Sequence, residues 1–291
     1  MLLIGLITIL ITFSLVAFGV YKNNIETKYP SNNVLHNSLN LAITWLENNQ
    51  ASLHKNHNSA LWWMIKEASQ QSNNEQLKKF YLKYKNSYLD KRPRNVWSPY
   101  FYESYTPTID HITDLYPLHE YQLFFIYSLS CSSKMENEPV IKKQLKPDYC
   151  NNHFLHPRCV THQQMAVRFL NKKQCGDYRE LSSDLLEIIK QEITIDFRVT
   201  DSYLQRALML ADARISLKPV WVSKIIHAQQ KDGGWADFYP LLSFGKTQLG
   251  TTSTGLSKGP KKSNFHATAQ SVWLLTLLIN QTSGNEYAIK K

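Results

Sequence analysis

Ligand-type side chains are densest in CNNHFLHPRCVTH, from Cys150 to His162. Cys150, His153, His156 and Cys159 follow the pattern C-x2-H-x2-H-x2-C, two thiols and two imidazoles of the kinds that hold zinc. The spacing is compact throughout, whereas zinc modules usually separate two ligand pairs by a longer loop. Cys131 and Cys175 complete a set of four cysteines confined to residues 131–175. An even, clustered set behind a membrane-targeting segment fits two disulfides in an oxidising compartment. Disulfides among Cys131, Cys150, Cys159 and Cys175 are therefore the expectation, with the histidines as surface or capping residues. No cofactor is expected; zinc on Cys150, His153, His156 and Cys159 is the alternative.

A second group could move protons or grip sugars. Between Trp97 and Tyr105 the sequence WSPYFYESY is followed by Asp110, His111 and Asp114. Aromatic rings stack on sugar faces while nearby acids take hydroxyl hydrogen bonds or act as general acid and base. Trp97, Tyr100, Tyr102, Tyr105 and Tyr121 are thus candidate ligand contacts, and Asp110, His111, Asp114 and His266 candidate catalytic groups. The competing reading makes the aromatic segment a covering loop. His266 stands at a helix start before Ala267, Thr268 and Ala269, where it either faces a ligand or hydrogen-bonds a neighbouring helix end. Asp201 reads as an ordinary first-turn acid favoured by the helix dipole, and Arg206 as its neighbours' ion-pair partner. No Ser/His/Asp or Cys/His nucleophile is legible without spatial proximity.

The elements that must position these groups are helical. Leu35, Leu39, Ala42, Trp45 and Leu46 repeat at three-and-four spacing toward Gln50. Similar patterns predict helices over 59–71, 74–89, 118–130, 161–174, 178–195, 201–215, 219–230 and 267–281. Residues 140–157 and the Gly/Ser/Thr-rich stretch 241–264 read as irregular, and no alternating run predicts a sheet. The fold class expected is all-α. LAITWLENNQ followed by HNSALWWMIKEA is echoed late in the chain by VSKIIHAQQ, DGGW and FHATAQSVWLLTLL. Two helices, one amphipathic and the next more buried, form a unit that stacks on copies of itself.

Gln229, Gly233, Gly234 and Trp235 carry that repeat's punctuation, Q-x3-G-x-W. With FHATAQSVWLL behind it, the segment resembles one repeat of the α/α-toroid superfamily: terpenoid cyclases, protein prenyltransferase β subunits and complement-like thioester domains. The resemblance implies hairpins of outer and inner helices closing around a central mouth, with the motif clasping one helix to the next. It covers about 50 residues well, the first hairpin less well, and it does not carry the family's chemistry. The chain has no D-x-D-D acid motif, no D-D-x-x-D metal motif and no G-C-G-E-Q thioester. Asp148, Cys150 and His266 can be laid on the prenyltransferase zinc set, but the first two lie well upstream in a cysteine-rich loop.

Residues 2–21 carry no charge and are long enough to cross a bilayer as a helix. A membrane anchor over 1–21 is expected, with a cleaved signal peptide as the alternative; a polar, Asn-rich linker over 22–33 and a toroid-like domain over 34–291 follow. Lys and Arg exceed Asp and Glu by 33 to 23, yet they are scattered in ones and twos, which argues against nucleic acid. The cysteines place the body outside the cytoplasm. Two functions remain open: a binding or scaffolding domain for a glycan, lipid or envelope protein, or a toroid-type enzyme acting on an envelope glycan or isoprenoid lipid.

Overall fold

The structure, a computed structural model, describes residues 2–109, 112–115, 118–153, 158–244 and 247–289. It is mostly helical. The helices run α1 Leu2–Lys22, α2 Asn32–Asn48, α3 Gln50–Leu53, α4 Ser59–Gln71, α5 Glu75–Ser87, α6 Glu120–Ser130 and α7 Ser133–Glu136. They continue as α8 Pro139–Gln144, α9 Cys159–Lys173, α10 Arg179–Ile195, α11 Asp201–Asp212, α12 Pro219–His227 and α13 Phe265–Ile289.

Burial sorts these helices into two kinds. In α10 only Leu181, Leu185, Ile189 and Ile193 are buried, a single stripe at i, i+4 spacing. A stripe of that kind faces a core on one side and water on the other. In α11, by contrast, every residue from Asp201 to Ala211 is buried, and in α4 every residue from Leu61 to Ser69. Helices buried all round lie inside. α6, α9 and α13 share that character. The inner helices pack in the order α6, α9, α11, α13, α4, and the short turn Ser98–Tyr100 touches both α4 and α6. Trp62, Trp63 and Trp273 fill the space between them, with the Trp63 and Trp273 rings edge to face at 4.9 Å.

The Gln-Gly-Trp segment links the late chain to the early chain. Gln229 Nε2 donates to the carbonyls of Ser38 and Gly233, both at 2.8 Å, while its Oε1 accepts from Ser38 Oγ at 2.8 Å. Asp232 accepts from Trp45 Nε1 at 3.2 Å, Gly234 N at 3.1 Å and Ser263 Oγ at 2.7 Å. Gly233 has φ +94°, and a Cβ there would collide with the Leu41 carbonyl, so glycine is required twice over. The Trp235 ring is buried, and its Nε1 donates to the Ile225 carbonyl at 2.7 Å.

Two expectations are corrected. The chain is not all-α: Tyr239–Phe244, Thr247–Thr252 and Gly255–Gly259 form an antiparallel sheet in the order β1-β2-β3. Its strands carry Pro240, a bulge between Pro240 and Leu242 and several glycines, so the alternation that marks a strand is broken. The stretch 140–157 begins in a helix, α8, started by Pro139. At the start of residues 22–33 an asparagine side chain is bound into the body. Asn23 is fully buried; its Nδ2 donates to the carbonyls of Ile193, Thr194 and Asp196 at 2.7, 3.2 and 3.2 Å. Its Oδ1 accepts from Tyr203 Oη and Lys224 Nζ, and its carbonyl from Trp221 Nε1.

α1 itself is a single 21-residue helix whose described apolar side chains, Leu6 to Phe18, face outward. Among the described residues no helix is long and apolar enough to cross a membrane; in α1, side chains are described for Leu6, Ile7 and from Ile9 onward.

Candidate functional site

Four inner helices begin at the same end of the molecule. α6 opens with His119, Glu120 and Tyr121, α9 with Cys159 preceded by Arg158, α11 with Asp201 and Ser202, and α13 with Phe265 and His266. A cavity of about 760 Å³ lies at that end, lined by His119, Tyr121, Arg158, His162, Arg198 and Ser202 among others. The β2–β3 turn, Thr252–Gly255, forms part of its wall. Asp237 holds that wall to α11: its Oδ1 accepts from the backbone N–H groups of Asp201 at 3.0 Å and Ser253 at 2.9 Å, and its Oδ2 from Ser253 Oγ at 2.6 Å.

The decisive pair is His266 and Asp201, with Nδ1 and Oδ2 3.0 Å apart. Burial works against a charged imidazole at His266, but the Asp201 carboxylate outweighs it and holds the pKa above the usual histidine value. His162 moves the other way. Burial, with Arg158 and His266 adding repulsion, pushes it down to about 4. Its ring stacks on Tyr121 at 4.7 Å. The site thus holds one imidazole that favours its proton and one that sheds it. The Arg158 carbonyl accepts from Thr161 Oγ1 at 3.0 Å, while its guanidinium has no ion-pair or hydrogen-bond partner among the described residues; Arg198 is engaged by Asp196 at 2.8 Å. Asp196 is itself buried, yet Arg198 and Arg206 keep it below the ordinary carboxylate range.

On the inner helices buried polar atoms stand without a protein partner, Ser202 Oγ in the cavity wall and Asp201 Oδ1, Gln205 Nε2, Gln270 Oε1 and Ser271 Oγ on α11 and α13. Ser202 and Gln205 are three residues apart, so they share a helix face. A buried group left in this state costs about 1–3 kcal/mol, which makes these inner-helix groups a place for bound water or ligand. At the far end the space is closed: Arg168 pairs with Asp212 and Glu67 and lies over Trp63 and Trp273.

The residues singled out in the sequence scatter. Tyr121 lines the cavity and His266 stands beside it through Asp201. Asp110 and His111 lie outside the described residues, and Asp114 is exposed and lines neither cavity. Tyr100 is buried between Trp63 and Phe169 and lines a second cavity of about 450 Å³ with Glu103, Lys172 and Lys173. That cavity lies at the opposite ends of α6 and α9. Trp97 stacks on Tyr100 at 6.1 Å, Tyr102 Oη donates to Asp90 at 2.5 Å, and Tyr105 is half-buried. The cysteines pair as Cys131–Cys175 and Cys150–Cys159. With its two sulfurs in one bond, the set Cys150, His153, His156, Cys159 has no thiolates to offer zinc; the His153 side chain and His156 lie outside the described residues. Arg158, His162 and the role of Asp201 escaped the sequence reading, although each is a polar residue at the start of a helix that is otherwise buried.

The chain matches no protein-family model, no curated protein and no solved structure. Its chemistry therefore has to be read from the site alone.

Proposed function

We propose that this chain is a membrane-anchored α/α toroid whose open end binds an acidic, hydroxyl-rich ligand, an envelope glycan in class. The observation that carries the proposal is a cavity whose wall includes Arg158 and the buried, unpartnered Ser202 hydroxyl, with Asp201 Oδ1 and Gln205 Nε2 also without protein partners on the same helix. Hydroxyls satisfy such atoms in either direction, and a guanidinium recognises a carboxylate or phosphate bidentately. The toroid reading is supported by the order in which the inner helices pack and by the Gln229–Ser38 clasp between late and early chain. The anchor reading is supported by the described apolar side chains of α1, Leu6 to Phe18, which face outward. Two disulfides support a body in an oxidising compartment outside the cytoplasm.

A second reading, catalysis on that ligand, is favoured by the two histidines. His266, whose proton Asp201 favours, is suited to a general acid; His162, whose proton burial disfavours, is suited to a general base. The test of the first reading is calorimetric titration of the full chain in detergent with uronic-acid and neutral oligosaccharides of equal length. Preference for the acidic ligand, with Arg158→Ala weakening it about tenfold, equivalent to about 1.4 kcal/mol, is the expected result. Equal affinity for both ligands, or an indifferent Arg158→Ala variant, would discard it.

A further inference from the structure

The small sheet carries a feature that ligand binding does not explain. Tyr239 pairs with Thr251 and Thr251 with Leu256, while Leu242 pairs with Leu249 and Leu249 with Lys258. Paired residues share a face, and residues two apart on β2 share it too. The bulge between Pro240 and Leu242 keeps Tyr239 and Leu242 on that same side. One face therefore presents Tyr239, Leu242, Thr247, Leu249, Thr251, Leu256 and Lys258. On the other, Phe238 lies against Gly250 so closely that a Cβ there would sit 2.5 Å from its ring, while Pro240 and Ser243 are exposed.

On the first face Tyr239, Thr247, Leu249 and Thr251 are half-buried, and Leu242, Leu256 and Lys258 are left to solvent. Leu242 is 54% exposed and Leu256 75%, the highest value among the described large hydrophobics. Phe197 links it to the end of α1. Phe197 lies edge-on to Tyr239 at 5.9 Å, and its ring presses on Gly19, where a Cβ would come within 2.7 Å. Ile195, two residues before it, is 65% exposed. Asn23 and Asn24 then fasten the chain to the carbonyls of Ile193, Thr194 and Asp196. Leaving the body at this point, α1 projects its apolar side chains from beside the sheet.

We infer that the outer face of the β1–β3 sheet seats in the interface of the bilayer that α1 enters, so that the large cavity opens along the membrane surface. The occupant of that face is lipid, because the exposed leucines continue the apolar surface of α1 and are bordered by Tyr239 and Lys258, residue types that suit the headgroup level. The cavity follows from the same geometry. Asp196, Arg198 and Thr200 flank Phe197 in sequence and line it, and the sheet's own turn, Thr252–Gly255, is its wall. The ligand it admits is then one presented at the membrane, carried on a lipid or lying against it. This inference rests on the reading of α1 as an anchor.

The experiment places an environment-sensitive fluorescent amino acid at Leu256, Phe13 or Arg179 of the full chain, reconstituted in phosphatidylcholine–phosphatidylglycerol vesicles containing doxyl-labelled lipid. Phe13 is 71% exposed on α1 and reports the anchor; the Arg179 side chain is 84% exposed at the far end of α10, about 24 Å from Ile195. Quenching at 13 and 256, several-fold stronger than at 179, is the expected result. Quenching at 13 but not at 256, or equal quenching at 256 and 179, overturns the seating of the sheet and leaves the anchor standing. Absence of quenching at 13 removes the anchor reading and the inference with it.

Discussion

Trp235→Ala tests the clasp most directly. The indole is 1% exposed, and truncating a buried tryptophan costs about 3–5 kcal/mol in transfer and cavity terms. The variant also loses the Nε1 bond to the Ile225 carbonyl. That carbonyl still accepts from the Ala228 N–H at 3.2 Å, so the additional cost lies near the low end of the range for an unmade bond, about 1 kcal/mol. The sum, about 4–6 kcal/mol, is comparable with the whole stability of many domains. Trp235→Phe separates the two contributions: it retains most of the apolar ring and loses the hydrogen bond, for a cost of about 1–2 kcal/mol. Urea unfolding of the full chain in detergent, followed by circular dichroism with the disulfides intact, measures both. A Trp235→Ala chain with its midpoint unmoved would show that the indole only occupies space already closed by other contacts.

His162 has its pKa depressed to about 4, so the unfolded chain takes up a proton first and stability falls as pH drops from about 6.5 to about 4; His162→Gln should flatten stability across that window in pH-resolved melting. His266 has its pKa raised, so its contribution is full below the ordinary histidine value and is lost as pH climbs through the folded-state value. Asp201→Asn should lower the His266 pKa in an NMR titration, and an unchanged titration would break the pair. Opening Cys131–Cys175, which spans 44 residues, should cost about 4 kcal/mol, against about 2.6 kcal/mol for Cys150–Cys159 spanning 9; paired serine variants compared by melting would expose the reverse order. Asn23→Ala leaves the Ile193 carbonyl and the Tyr203 hydroxyl short of a partner inside the body, and should destabilise by about 2–4 kcal/mol; an unaffected melt would show that these groups find other partners.

The periodic elements were the legible part. The pattern over SALWWMIKEASQQ fixes α4 at both ends, because Asn58 supplies the cap, accepting from the Ala60 N–H at 3.1 Å. The sheet was not legible, since Gly250, Gly255 and Pro240 read as loop until pairing partners are known. The site was legible only in fragments. His266 could be marked as a helix-start residue, but its partner Asp201 looked like an ordinary first-turn acid, and 65 residues of sequence separate them. Arg158 and His162 sat inside a cysteine-rich string whose metal-like spacing drew attention to the wrong members. Asn23 shows the same limit: composition marks an amide-rich segment as solvated, and only the fold reveals six partners for one asparagine.

The bond between Gln229 and Ser38 has a consequence for the order of assembly. Its partners are 191 residues apart, so a chain emerging from the ribosome amino end first must expose α2 and α4 long before the groups that cover them exist. The Cys131–Cys175 crosslink becomes available well before Gln229 does, and the seam between α4 and α13 later still. Maturation therefore passes through a half-built body, oxidised in its middle and open at its beginning, that sealing by the last sixty or so residues brings to an end. Such an intermediate is the stage at which proteases and chaperones outside the cytoplasm would meet this protein, and a chain stopped short of Gln229 should remain there.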